Sequence, residues 1–276
     1  MSDTPVSERT AYLVLDVESI PDGRLIRLLR YGNEAISDAE AITRYQQERL
    51  AETGRDFIPV TFQVPVAICV ARVADDCQLQ RLTRIGEPEF RHSPGELVRQ
   101  FWIGLEKVFA ESQPVLVTFN GRTFDLPLLE LAAFRYGVAA PQYFSSDRRI
   151  RNRFGDGHLD LYELLSNFGA VRLTGGLDLF SHMLGKPGKF HLTGQQVYDC
   201  YRAGRLAEIN DYCAYDVLDT YFVFLRTRVL VGQITLEQEQ QLVRQTRVQL
   251  EHWSREPQGA YLRRYLEHWG DWQPWP

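Results

Sequence analysis

The chain has 276 residues, of which 44% are hydrophobic and 24% are charged, and its formal net charge is −5. This composition is typical of a globular protein with one large domain, with or without an appendage, and it argues against a protein that coats nucleic acid by charge alone. Apolar runs fall short of the roughly 18 residues that span a bilayer, and the first residues lack a signal-peptide pattern, so we expect a cytoplasmic protein without membrane contact.

The first predicted element is a buried strand over residues 11–21. Its apolar residues are followed by Asp16, Glu18 and then Pro21, which stops the strand. Because side chains alternate along a strand, both carboxylates face the same side. Two like charges there repel and lose hydration, and a divalent cation with oxygen ligands would offset that cost.

This pair is weak evidence alone, because a chain this acidic contains about one Asp-x-Glu by chance. A second one, Asp38-Ala-Glu40, follows Ser37 in a pattern that begins surface helices, and we assign it no chemistry. It lies within residues 22–57, which we interpret as a partly helical insertion between two strands. Such excursions often border functional sites.

The next predicted elements are further strands of the sheet and helices that cover it. Residues 59–85 predict two antiparallel strands joined by a turn at Asp75-Asp76. Ser93-Pro94-Gly95-Glu96 carries the signals of a helix start, and the apolar side chains that follow share one helical face. Residues 114–119 predict a further strand that leads into Asn120 and Phe124-Asp125, and then into a helix that ends at Gly137.

Two later segments allow two interpretations each. Residues 147–153 hold four arginines against one aspartate, as in a solvated loop or a phosphate-contacting patch. The glycines and lysines of residues 184–189 suit close backbone approach to a polymer, or a plain connecting loop. His158 and Asp160, between these segments, are interpreted as a structural pair in preference to a further metal site.

The last third of the chain is predicted to be helical. Residues 204–227 have apolar side chains at helical spacing, with Tyr212 and Asp216 one turn apart beside that stripe. A further helix begins at Thr235, and a tail follows with four tryptophans. We interpret this tail as packing on the core or on a partner, with base stacking as the alternative; the four are Trp253, Trp269, Trp272 and Trp275.

Three acidic segments now stand in order: Asp16-x-Glu18, Asn120-x-x-x-Phe124-Asp125-x-Pro127, and Tyr212-x-x-x-Asp216. Together they resemble the motifs of the DEDD 3′–5′ exonucleases in the tyrosine-bearing subgroup, and most of all the proofreading domain of family B DNA polymerases and its free-standing relatives. The histidine-bearing subgroup would place a histidine where this chain has Asp211. The likeness covers approximately residues 11–227.

The resemblance implies an α/β, ribonuclease H-like fold with a mixed central sheet flanked by helices. The expected domains are an exonuclease domain over residues 1–230, with the insertion at about 22–57, and a helical, tryptophan-rich C-terminal extension over residues 231–276. No polymerase region fits in this length, so we expect an autonomous nuclease.

The resemblance also implies the site. Asp16, Glu18, Asp125 and Asp216 would hold two divalent cations, with Asp16 bridging them and Asp125 acting through water. Oxygen-only ligands favour Mg²⁺ or Mn²⁺ over zinc. Tyr212 would position the attacking water. Asn120 and Phe124 would touch the terminal nucleotides, although core packing is the alternative for Phe124.

The expected function is hydrolysis of phosphodiester bonds at the 3′ end of single-stranded DNA, with release of nucleoside 5′-monophosphates. Two alternatives stay open, namely trimming of RNA by the same chemistry and a non-catalytic nucleic-acid-binding module. The sequence identifies no protein partner.

Overall fold

The computed structural model describes residues 9–32, 34–145, 149–190, 192 and 194–274. The first eight residues, Arg148 of the basic segment and Trp275 lie outside this range. Within it, five strands form one mixed sheet in the order β3-β2-β1-β4-β5. Their bounds are β1 Thr10–Pro21, β2 Gln63–Ala74, β3 Leu79–Arg84, β4 Val115–Thr118 and β5 His158–Asp160.

Helices cover both faces of this sheet. Their bounds are α1 Gly23–Ile26, α2 Asp38–Thr53, α3 Pro94–Glu111, α4 Asp125–Tyr136, α5 Pro141–Ser145, α6 Leu161–Leu165, α7 Gly176–Met183, α8 Gly194–Arg202, α9 Leu206–Leu230, α10 Leu236–Trp253 and α11 Leu262–Glu267. A π-helical turn, Arg27–Tyr31, continues α1, and short 3₁₀ turns lie at Val60–Phe62 and Pro257–Gly259.

The central strand is β1, which places its carboxylates in the middle of the molecule. It pairs antiparallel with β2 over nearly its whole length, but parallel with β4 only at residues 12–14. The second half of β1 therefore has no strand neighbour on the β4 side. A mixed sheet with this order and helices on both faces confirms the expected ribonuclease H-like α/β fold.

One face of the sheet is covered by α3 and α4. The capping box at Ser93 and Glu96 is complete, as predicted, because Ser93 Oγ accepts from the Glu96 N–H while the Glu96 carboxylate accepts from the Ser93 N–H. The apolar face that follows is buried against β1 and β2. The predicted helix end at Gly137 is also present, in the left-handed conformation.

The other face is covered by α9, which is buried on nearly every side along its middle turns. The sequence predicted an apolar stripe facing the sheet, and the structure shows a helix enclosed all round. The reason is that α7, α10 and α11 pack on the side turned away from the sheet. The aromatic Trp269 lies in this main core and is 9% exposed.

The connection between β1 and β2, residues 22–62, folds as a small helical unit that we call the cap. Its helix α2 begins at Ser37, whose Oγ accepts from the Glu40 N–H at 3.1 Å. The cap has its own apolar cluster, which packs on Tyr198 of α8 and consists of Ile26, Tyr31, Ala41, Ile42, Tyr45 and Ile58. The connection between these two strands is therefore partly helical, and it lies over the end of β1.

Strand β5 was not predicted, because its three residues are too few to show a pattern. It extends the sheet by parallel pairing with β4. Among the helices of the described residues, none has an apolar stretch long enough to cross a membrane.

Candidate metal centre

Three carboxylates from two distant parts of the chain meet at one point. Asp16 and Glu18 leave the same face of β1, and Asp216 approaches from α9, so that one oxygen of each lies within 4.8 Å of the others. The helix is held against the strand at this point, because Cys213 Sγ donates a hydrogen bond to the Asp16 carbonyl oxygen at 3.2 Å. The strand alternation and the helical spacing together account for this convergence.

Asp125 joins the cluster from the first turn of α4. Its Oδ1 accepts a hydrogen bond at 3.0 Å from the backbone N–H of Val17, the residue between Asp16 and Glu18. Since β4 leaves β1 before this point, the Val17 N–H needs a partner, and the carboxylate supplies one. Asp125 is buried, and its position at a helix N-terminus suits a negative charge.

Tyr212 lies one helical turn before Asp216 and is 3% exposed. Its hydroxyl acts on the Asp216 carboxylate and lowers the pKa of that acid, against the larger effect of burial. Burial, followed by the charges of Asp216 and Glu18, raises the pKa of Tyr212 far above its usual value. The hydroxyl therefore keeps its proton and acts as a hydrogen-bond donor.

The protein disfavours the ionised form of all four acids. Loss of hydration is the first cause at each, and mutual repulsion adds to it at Asp16, Glu18 and Asp125. The pKa of Asp125 rises to about 7 and that of Asp216 to about 6, while those of Asp16 and Glu18 rise well above their usual values. A cation among these oxygens would remove the repulsion.

The donor set fits a divalent cation of the Mg²⁺ or Mn²⁺ type. Every candidate ligand is a carboxylate oxygen, as such ions prefer. In addition, Asp16 Oδ2 is buried and has no hydrogen-bond partner within the described residues. A buried polar atom without a partner is costly, and a ligand would remove that cost.

A loop after β4 carries Asn120 to the same cleft, and Asp160 holds this loop in place. The two oxygens of Asp160 each accept a backbone N–H, from Asn120 and from Arg122, both at 2.9 Å. His158 contacts Thr118 Oγ1 at 2.8 Å, and burial lowers its pKa to about 3, so it stays neutral. Both residues thus have structural contacts, in line with the structural pair predicted from sequence.

The cluster lies in an open cleft of about 540 Å³, which is lined by all seven of the predicted site residues: Asp16, Glu18, Asn120, Phe124, Asp125, Tyr212 and Asp216. The cap forms one wall with Gln46, Arg55 and Phe57. The Phe57 and Phe124 rings lie 5.9 Å apart, centroid to centroid, and are tilted by 56°. Sequence reasoning did not assign Phe57, because nothing in the local pattern shows where a loop lies.

A positively charged side chain lies close to these acids. Lys189 lines the cleft, and its charge lowers the pKa of both Glu18 and Asp216, against the larger effect of burial. It belongs to the loop of residues 184–189, for which the sequence left polymer approach and plain connection open. The glycines and lysines of this loop were the sequence features that could indicate contact with a polymer.

The C-terminal segment fastens this loop. Gly270 donates its N–H to the Gly185 carbonyl oxygen at 2.8 Å, and Lys186 Nζ donates to the Gly270 carbonyl oxygen at 3.1 Å. Lys186 is 4% exposed and lies 4.1 Å from the centre of the Trp269 ring. Only glycine fits at 185, because a Cβ there would come within 2.9 Å of the Asp271 backbone. The loop that carries Lys189 is therefore held in place by the C-terminal segment.

Two charged segments named from the sequence lie elsewhere. Asp38 pairs with Arg27 at 2.7 Å on the cap surface. In the basic segment, Arg151 pairs with Glu130 and Arg153 with Glu163, both at 3.0 Å, and neither arginine lines the cleft. These contacts favour the solvated-loop interpretation for the described part of that segment.

Comparison with known families gives one match. A family model described as "Predicted 3'-5' exonuclease related to the exonuclease domain of PolB" matches residues 55–269. The matched span includes Asp125, Tyr212 and Asp216, begins after Asp16 and Glu18, and extends well into the predicted C-terminal extension. No curated protein matches the chain.

Proposed function

The chain belongs to the family of predicted 3′–5′ exonucleases related to the exonuclease domain of PolB, and from this membership we propose that it is a metal-dependent 3′–5′ exonuclease. The proposed reaction is hydrolysis of the terminal phosphodiester bond of a single-stranded nucleic acid, DNA in preference to RNA, with release of nucleoside 5′-monophosphates. The observation that carries the proposal is the meeting of Asp16, Glu18 and Asp216 in one cleft, with Asp125 beside them.

We propose that Asp16, Glu18, Asp125 and Asp216 hold two divalent cations, Mg²⁺ or Mn²⁺. When bound, the cations supply positive charge that stabilises the charge developing on the entering and leaving oxygens of the phosphate. Within the described residues, Asp16 Oδ2 is buried and has no hydrogen-bond partner, which suits Asp16 to contact with both cations. One oxygen of Asp125 already accepts the Val17 N–H, which suits Asp125 to contact a cation indirectly, through water.

Tyr212 is proposed to orient the attacking water. Tyr212 lines the cleft and its hydroxyl keeps its proton, so it can fix an oxygen in place but cannot serve as a base at neutral pH. Removal of the hydroxyl should therefore lower the turnover rate and leave the carboxylates able to bind metal.

Substrate binding is assigned to the cleft walls. Lys189 and Arg55 can face phosphates, since both are exposed cationic side chains in the cleft. Asn120 and Phe124 are proposed to contact the terminal nucleotides. We also propose that the protein acts in the cytoplasm and that residues 1–230 form the exonuclease domain with residues 231–276 as its extension.

The test uses single-stranded oligonucleotides of one sequence, as DNA and as RNA, labelled at the 5′ end or the 3′ end. With Mn²⁺ or Mg²⁺, the 5′-labelled strand should shorten stepwise, and the 3′-labelled strand should release its label as a mononucleotide in the first step. EDTA should stop both. A folded protein that leaves both strands intact with either metal would refute the activity and favour a binding module, and faster loss of RNA would favour the exoribonuclease alternative.

A further inference from the structure

The cap presents an aromatic ring to the cleft that has no evident structural use. Phe57 is 54% exposed, although exposure of a phenyl ring to water is unfavourable. Its neighbour Ile58 is 2% exposed and belongs to the cap's own cluster. The backbone is thus fixed so that one side chain enters the cap and the next leaves it.

The position of Phe57 is well defined by its surroundings. The Ile58 carbonyl oxygen accepts a hydrogen bond at 2.9 Å from Nε2 of Gln63, at the start of β2. On the cleft side, the Phe57 ring is tilted against Phe124, the residue next to Asp125. An anchored backbone and a neighbouring ring together hold the exposed face of Phe57 toward the cleft that contains the acids.

We propose that Phe57 forms, with Phe124, a stacking surface for the 3′-terminal nucleobase. The two rings are too close and too tilted to admit a base between them, so the base stacks on their outer surface. This inference rests on the proposed function, and it adds that the cap favours single-stranded ends, because an unpaired terminal base is free to turn its ring face toward Phe57, whereas a paired base is held in the duplex. Arg55, two residues away, also lines the cleft and can contact the adjoining phosphate.

An isolated exposed phenylalanine is common and needs no ligand. Phe134 on α4 is such a case, since it is 88% exposed and does not line the cleft. It provides the matched control. Phe57 differs from it in its contact with Phe124 and in its place among the cleft-lining residues.

The experiment measures binding of a short single-stranded DNA by fluorescence anisotropy, with calcium as the divalent cation and a gel to confirm that the strand stays whole. Two strands are compared, one with a normal 3′-terminal nucleotide and one in which that nucleotide lacks its base. Four proteins are used: the parent, Phe57→Ala, Phe57→Trp and Phe134→Ala. Their thermal unfolding midpoints establish that all are folded.

Phe57→Ala should weaken binding of the normal strand roughly 5- to 100-fold, as expected for loss of one base–aromatic stack. On the strand without the terminal base, the same change should alter binding by less than about twofold, since the interaction is already gone. Phe57→Trp should retain binding of the normal strand, and Phe134→Ala should bind both strands like the parent.

Equal weakening on both strands, no weakening on either, or no binding by the parent protein would each overturn the proposal. Exchange of calcium for manganese then tests the activity separately. A protein that binds with the expected dependence on the terminal base but never shortens the strand would refute the exonuclease activity and leave the stacking site standing.

Discussion

The carboxylate of Asp125 accepts the backbone N–H of Val17 at 3.0 Å, and this bond fixes α4 to the central strand between the two acids of β1. Asp125 is therefore both a member of the acidic cluster and a structural partner of the strand.

Asp125→Asn and Asp125→Ala should separate these two roles. The asparagine oxygen can still accept the Val17 N–H, whereas alanine leaves a buried N–H without a partner at a cost of about 1–3 kcal/mol. We expect both variants to lose cleavage activity. Only the alanine variant should show a clear decrease in the free energy of unfolding. Urea denaturation and the labelled-strand assay measure the two effects, and equal stability of the variants would contradict the structural role.

Asp16→Ala should abolish cleavage and remove the rise in unfolding temperature that manganese produces. Without metal, the variant should be at least as stable as the parent, because the change relieves repulsion within the cluster. Asp38→Ala is the matched control from the second Asp-x-Glu. It should cut normally and lose about 1 kcal/mol or less, since its ion pair with Arg27 is exposed.

Tyr212→Phe should lower kcat by about 10- to 100-fold while the metal-induced stabilisation is retained. The hydroxyl also stabilises ionised Asp216, so its loss should raise the pKa of that acid and move the acid limb of the rate profile to higher pH. Rates over a pH series and thermal shifts with manganese check both points. A normal kcat would show that the hydroxyl does not position the water.

Lys189→Met should raise KM and lessen the dependence of binding on salt, because one fewer cation faces the phosphates. It should also raise the pKa of Glu18 and Asp216, so that more alkaline conditions are needed for activity. Lys107→Met, on the exposed side of α3, is the control with the same loss of charge. A salt dependence identical to that of the control would place Lys189 outside the substrate path.

The contribution of the acidic cluster to the stability of the metal-free protein should fall as pH rises from about 4 to about 7. Asp125 and Asp216 have pKa values of about 7 and about 6 when folded, above those of the unfolded chain, so the folded state holds more protons in this interval. Bound manganese should reverse the trend, because it favours the ionised acids. Thermal unfolding in EDTA and in manganese across this interval checks the sign, and parallel curves would refute it.

Much of the site could be anticipated because its members lie on regular elements. Strand alternation brings Asp16 and Glu18 to one face, and one helical turn separates Tyr212 from Asp216. Local spacing could not show which elements lie beside one another in the folded protein. The hydrogen bond from Val17 to Asp125 depends on where β4 stops pairing with β1, which is a property of the whole sheet.

The parts that sequence reasoning missed or left undecided lie on loops or depend on distant packing. Phe57 and Lys189 reach the cleft from irregular segments whose path is set by the cap cluster and by the C-terminal residues. The complete burial of α9 likewise depends on α10 and α11, which cover a face that a single-helix pattern cannot show to be covered. In both cases the deciding contacts join residues far apart along the chain.

The bond between Gly185 and Gly270 ties the end of the chain to the activity proposed for its middle. Proteolytic trimming or a premature stop codon that removed the residues after Leu266 would leave every acid of the cluster in the chain. It would, however, remove the contacts between the C-terminal segment and the loop that carries Lys189. We expect such a shortened protein to keep the acids proposed to bind manganese but to bind a strand more weakly, so the C-terminal segment would contribute to substrate binding at the proposed site.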